Sequence, residues 1–143
     1  MLGALLDGTT APDVFVWRGR HDRDLDAEAR QAGWTVIGLD TREVTSSTQF
    51  YDSLVRDWQL PEWFGRNLDA WWDVLAERAN HGPTLMNWVG AESLAVQQPD
   101  FAAVVLGLLR DATSQAPAFA VVVRREAELD REPLLLSELD ALL

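Results

Sequence analysis

Asp69 and Asp73 stand four residues apart in the stretch LPEWFGRNLDAWWDVL, residues 60–75, beside two adjacent tryptophans. Carboxylates one helical turn apart could ligate a metal, work as an acid–base pair, or meet a strongly positive surface. The first two uses need further groups. The chain has no cysteine and only two histidines. His81 follows the predicted helix in an Asn-His-Gly-Pro turn, and His21 sits in a basic loop, so neither completes a ligand set. No phosphate-binding glycine loop, nucleophile elbow or HExxH pattern occurs. The expectation is therefore a non-enzyme with no cofactor and no metal site.

The third use depends on where the helix points its side chains. Advancing about 100° per residue from Leu68, the residues Leu68, Trp71, Trp72 and Leu75 form one apolar stripe directed at a core. Asp69 and Asp73 then fall at about 100° and 140°, adjacent to each other on the border of that stripe and next to the edge of Trp72. A carboxylate in the first turn favours the helix dipole, which accounts for Asp69. It does not account for Asp73, a like charge at i+4, which costs a few tenths of a kcal/mol. An aspartate pair at this spacing is in general most often a solvated face.

Composition narrows the partner. Twelve basic residues oppose twenty-three acidic ones, a formal net charge of -11 that repels nucleic acid and anionic membrane and attracts basic surfaces. With 143 residues, 48% hydrophobic and 24% charged, the chain suits one soluble globular domain with a real core. No apolar run approaches the ~20 residues of a membrane span. The start, MLGALLDGTTAPD, makes a poor secretory signal, so a cytoplasmic location is expected.

The elements that must position the two aspartates follow from period and punctuation. Strands are predicted over 13–17, 34–39 (apolar, buried on both faces), 84–89 and 118–123. Helices are predicted over 22–33, stopped by Gly33, and over 48–58, capped by Ser46 or Ser47. Leu60-Pro61 ends the latter. Then come a loop in which Gly65 permits an unusual backbone angle, Asn67 as N-cap, and helices over 68–79, 91–97 and 99–115. In the last of these Phe101, Val104, Val105, Leu108 and Leu109 form the apolar face. Strands alternating with helices imply an α/β layered domain with a small, mainly parallel sheet. The leucine-rich segment after Pro133 is expected to be helical and to cover the domain.

LPEWFGRNLDAWWDVL resembles the signature of the barstar family, intracellular inhibitors of a secreted bacterial ribonuclease. There the segment reads Leu-Pro-Glu-Tyr-Tyr-Gly-x-Asn-Leu-Asp-Ala-Leu-Trp-Asp. Leu60, Pro61, Glu62, Gly65, Asn67, Leu68, Asp69, Ala70, Trp72 and Asp73 coincide without a gap. The resemblance covers 34–124, leaving 1–33 as an added N-terminal strand–helix unit packed on the core and 125–143 as a C-terminal tail, one domain overall. It implies a barstar-like α/β fold.

It also implies a function: 1:1 binding, as a monomer, of a small barnase-type microbial ribonuclease whose basic active site the loop and helix plug. Asp73 would take the place of the scissile phosphate and pair with catalytic Arg and His groups. Asp69 would meet a second cation at the rim, and the edge of Trp72 would border both. Trp63 and Phe64 replace two family tyrosines. Trp63 is the expected contact, whereas Phe64 is open to contact or inward packing. Gly65 and Asn67 shape the loop and cap the helix, positions where the family also offers backbone groups to the enzyme. Asp111 aligns with a family Glu that makes a peripheral charge contact. Arg66 stands where the family has Glu, Trp71 where it has Leu, and Arg78 where it has Trp. These departures alter the rim and leave open a second reading: a barstar-fold module that binds another toxin or regulatory protein without inhibiting a ribonuclease.

Overall fold

The computed structural model describes residues 2–8, 10–19, 25–116, 118–126 and 134–135. Its elements are α1 (Leu2–Leu6), β1 (Val14–Gly19), α2 (Leu25–Gln31), β2 (Thr35–Asp40), α3 (Ser47–Trp58), α4 (Leu68–Asn80), β3 (Thr84–Val89), α5 (Ala91–Gln97), α6 (Pro99–Gln115), β4 (Phe119–Glu126) and β5 (Leu134–Leu135). Sequence punctuation explains most boundaries. Ser46 Oγ accepts from the Gln49 N–H at the start of α3, Gly33 takes the positive φ that stops α2, and Pro99 opens α6.

The strands form a mixed α/β sheet of order β2-β3-β4-β1-β5. The first four are parallel, and β5 runs antiparallel to β1 through Phe15↔Leu135 and Val16↔Leu134. Alternation along the strands divides the core between two faces. Val14, Val16, Ile37, Leu39, Met86, Trp88, Val121 and Val123 pack with α3 to α6. Phe15, Trp17, Leu85, Ala120 and Val122 pack with Leu5, Leu25, Ala29 and Trp34. The Trp34 indole N–H donates to Leu6 O at 3.1 Å and ties α1 to this second layer.

Three expectations are corrected here. β2 is not buried on both faces: Ile37 and Leu39 are buried, but Thr35 and Gly38 are exposed, because β2 is an edge strand. In α6, Val104 is 53% exposed, and the buried face is Ala102, Val105, Leu106, Leu109 and Ala112. At Leu134–Leu135, within the tail expected to be helical, the chain is a strand paired with β1, whose edge would otherwise hold unpaired peptide groups, and β4 continues to Glu126. The rest of 125–143 lies outside the described residues.

The end of the outer edge of β2 is capped by charge. Thr35 and Thr41 donate inward, to Pro83 O and Val89 O, so alternation turns the peptide groups of Asp40 outward. There the Asp40 N–H donates to Asp57 Oδ2 at 2.8 Å, and Arg56 Nη2 donates to Asp40 O at 2.9 Å. Arg42 grips the Asp40 carboxylate with two nitrogens and holds its pKa below the usual carboxylate range. At the far end of β3 the Trp88 indole donates to Thr41 Oγ1, which donates to Gly90 O at 2.7 Å. Gly90 has φ 90°, and a Cβ there would lie 2.4 Å from Arg42 N, so this turn admits glycine alone.

Candidate functional site

α3 ends at Gln59, whose left-handed φ of 54° lets its N–H reach Val55 O and turns the chain into the loop 60–67. This residue, not Gly65, carries the unusual backbone angle; Gly65 is absent from the positive-φ positions. Glycine at 65 serves close approach instead. A Cβ would meet Asn67 Nδ2 at 3.3 Å and Ala70 Cβ at 3.6 Å, crowding the helix cap. Asn67, extended at φ −150°, accepts from the Ala70 N–H through Oδ1 at 2.8 Å and so starts α4. Asn67→Ala is expected to cost ~1 kcal/mol of stability, read by urea unfolding. An unchanged midpoint would show that the cap does not hold the helix start.

The loop separates its two aromatics. Phe64 is 6% exposed and joins the core, so its open role resolves as inward packing, while Trp63 is 85% exposed. α4 then buries Trp71, Leu75 and Ala79 and leaves Leu68 and Trp72 partly exposed. The stripe is thus rotated from the expected one: Trp71 occupies the core between Phe50 and Trp58, edge to face with each, and Trp72 is pushed to its margin. Trp72 lines a groove of about 180 Å³ between α4 and α6, with Ala76, Ala112 and Gln115 opposite one another.

Asp69 and Asp73 are exposed on α4, and neither has a hydrogen-bonding or ion-pair partner among the described residues. Trp63, Gly65, Arg66, Asn67, Trp72 and these two carboxylates therefore come from one continuous loop–helix segment. Asp111 is exposed on α6, next to Ala112 of the groove wall.

Two arginines brace this segment against α3. Arg66 Nε lies 3.1 Å from Asp52 Oδ1, with both side chains about half exposed. Arg78 Nη2 donates to Trp58 O at 2.8 Å, and its guanidinium stacks over the Trp58 ring at 5.3 Å. Sequence reasoning registered both arginines as departures from a pattern but missed their partners. Asp52 in particular gave no signal, being a solvent-facing carboxylate fourteen residues from Arg66.

No group of three or more His, Asp or Glu among the described residues could hold a metal. His81 is engaged at the end of α4, with Nδ1 2.7 Å from Glu77 O. No helix among the described residues is long and apolar enough to cross a membrane. A family model described as Barstar (barnase inhibitor) matches residues 34–128, which contain β2 to β4, α3 to α6 and the whole loop–helix segment. No curated protein matches the chain.

Proposed function

The chain belongs to the barstar family, and from that membership we propose that it inhibits a small secreted microbial ribonuclease of the barnase type by plugging its active site with residues 61–73. The observation that carries the reading is a pair of exposed carboxylates without partners among the described residues, fixed on a capped helix beside an indole that is 85% exposed. A ribonuclease binds phosphodiester anions, so its cleft is lined with cations. A rigid carboxylate pair competes for those cations as a phosphate substitute.

In this reading Asp73 fills the phosphate pocket and Asp69 meets a cation at the rim. Trp63 and Trp72 supply aromatic area at low entropic cost, and Asp111 makes an outlying charge contact. Gly65 and Asn67 hold the loop that presents them. Binding is 1:1, by a monomer, inside the cell that makes the enzyme. Arg66 favours one alternative, in which the same surface holds another toxin or regulatory protein without inhibiting a ribonuclease, because it reverses a charge within the binding loop.

The test is titration of the protein into candidate barnase-type ribonucleases while RNA cleavage is followed. Stoichiometric loss of cleavage is expected. Association should slow by about tenfold or more between low salt and 0.5 M, because the approach is steered by long-range charge. A salt-independent rate would remove the electrostatic basis of the reading, and full cleavage at excess inhibitor would remove the reading itself.

A further inference from the structure

Arg66 presents a difficulty for a surface that works by negative charge. It sits one residue before the cap of α4 and three before Asp69, on the turn that leads into the acidic ridge. A guanidinium released at that place has Asp69, three residues further along the chain, as a carboxylate with no partner among the described residues. It would occupy the group a partner's cation needs and would itself repel that partner. The structure shows it elsewhere: Arg66 turns back toward α3 and bonds Asp52, while Asp69 has no partner among the described residues. Asp52 is exposed on α3 and is not part of the loop or of α4.

We propose that Asp52 is a positioning residue of the inhibitory surface, which draws Arg66 aside and so keeps Asp69 open for a partner's cation. The inference rests on the ribonuclease-inhibitor reading for its consequence, but the diversion of Arg66 is a property of the chain alone. Exposed ion pairs of this kind contribute little to stability, and the role assigned here is one of direction rather than strength. A merely structural pair would change unfolding when broken; a diverting pair changes where the arginine goes.

Four proteins decide it: wild type, Asp52→Asn, Arg66→Gln and the double variant. Side-chain NMR should show the Arg66 Hε close to the β-protons of Asp52 in wild type and close to those of Asp69 in Asp52→Asn. Association with a barnase-type ribonuclease at low salt should slow about five-fold on Asp52→Asn in the wild-type background. It should slow about two-fold or less in the Arg66→Gln background, where only the general loss of one negative charge remains. Equal slowing in both backgrounds overturns the proposal, as does an Arg66 that stays clear of Asp69 once Asp52 is gone. Absence of inhibition by wild type would instead count against the ribonuclease reading, and the NMR comparison would still decide the diversion.

Discussion

Asp73→Ala is expected to weaken inhibition of the cognate ribonuclease by about 2–5 kcal/mol, roughly 30- to 5,000-fold in the inhibition constant. That range comes from truncating one member of a desolvated charge pair, and it draws in part on complexes of this same family. Most of the loss arises on the enzyme's side, where cations arranged around a phosphate pocket are left buried and unpaired. The free inhibitor should hardly notice. Asp73 is exposed and has no partner among the described residues, and its removal relieves a like-charge neighbour at i−4. Inhibition kinetics alongside thermal unfolding would separate the two effects. Equal inhibition by mutant and wild type would defeat the assignment of Asp73 to the phosphate pocket.

The second large effect falls on stability. Trp71 is fully buried, with ring centroids 5.5 Å from Phe50 and 5.9 Å from Trp58, so it joins the inner face of α4 to α3. Trp71→Ala should cost ~3–5 kcal/mol, a large share of the ~5–15 kcal/mol typical of a domain. Denaturant unfolding measures it, and a loss below ~1 kcal/mol would show that the site collapses around the cavity. Its indole N–H is buried without an acceptor, so Trp71→Phe sheds that unmet donor and should lose much less.

Local chemistry made much of the fold legible. Asn67 as cap, Pro99 as helix opener, Gly33 as stop and the apolar run of 84–89 act within a turn or two, and each marks the element it was expected to mark. Residues 60–73 were legible for the same reason, since loop, cap and ridge are consecutive. Long-range arrangements were not. Whether 34–39 is a central or an edge strand depends on strand order, which its own residues do not encode. The rotation of α4 that buries Trp71 and leaves Trp72 at the margin is set by Phe50 and Trp58 on another helix. The strand at Leu134–Leu135 exists because β1 offers a free edge more than a hundred residues earlier in the chain. Arg66 and Asp52 belong to the same class, two exposed charges whose meeting only the packing of α4 on α3 decides.

The two arginine braces have a thermodynamic meaning for any encounter. With the head of the segment held to α3 by Arg66 and its foot by Arg78, the acidic helix is ordered before a partner arrives. The backbone of the helix is already formed before docking, so that share of the ordering entropy is met during folding rather than at association. The conformational entropy lost on any association is smaller to that extent.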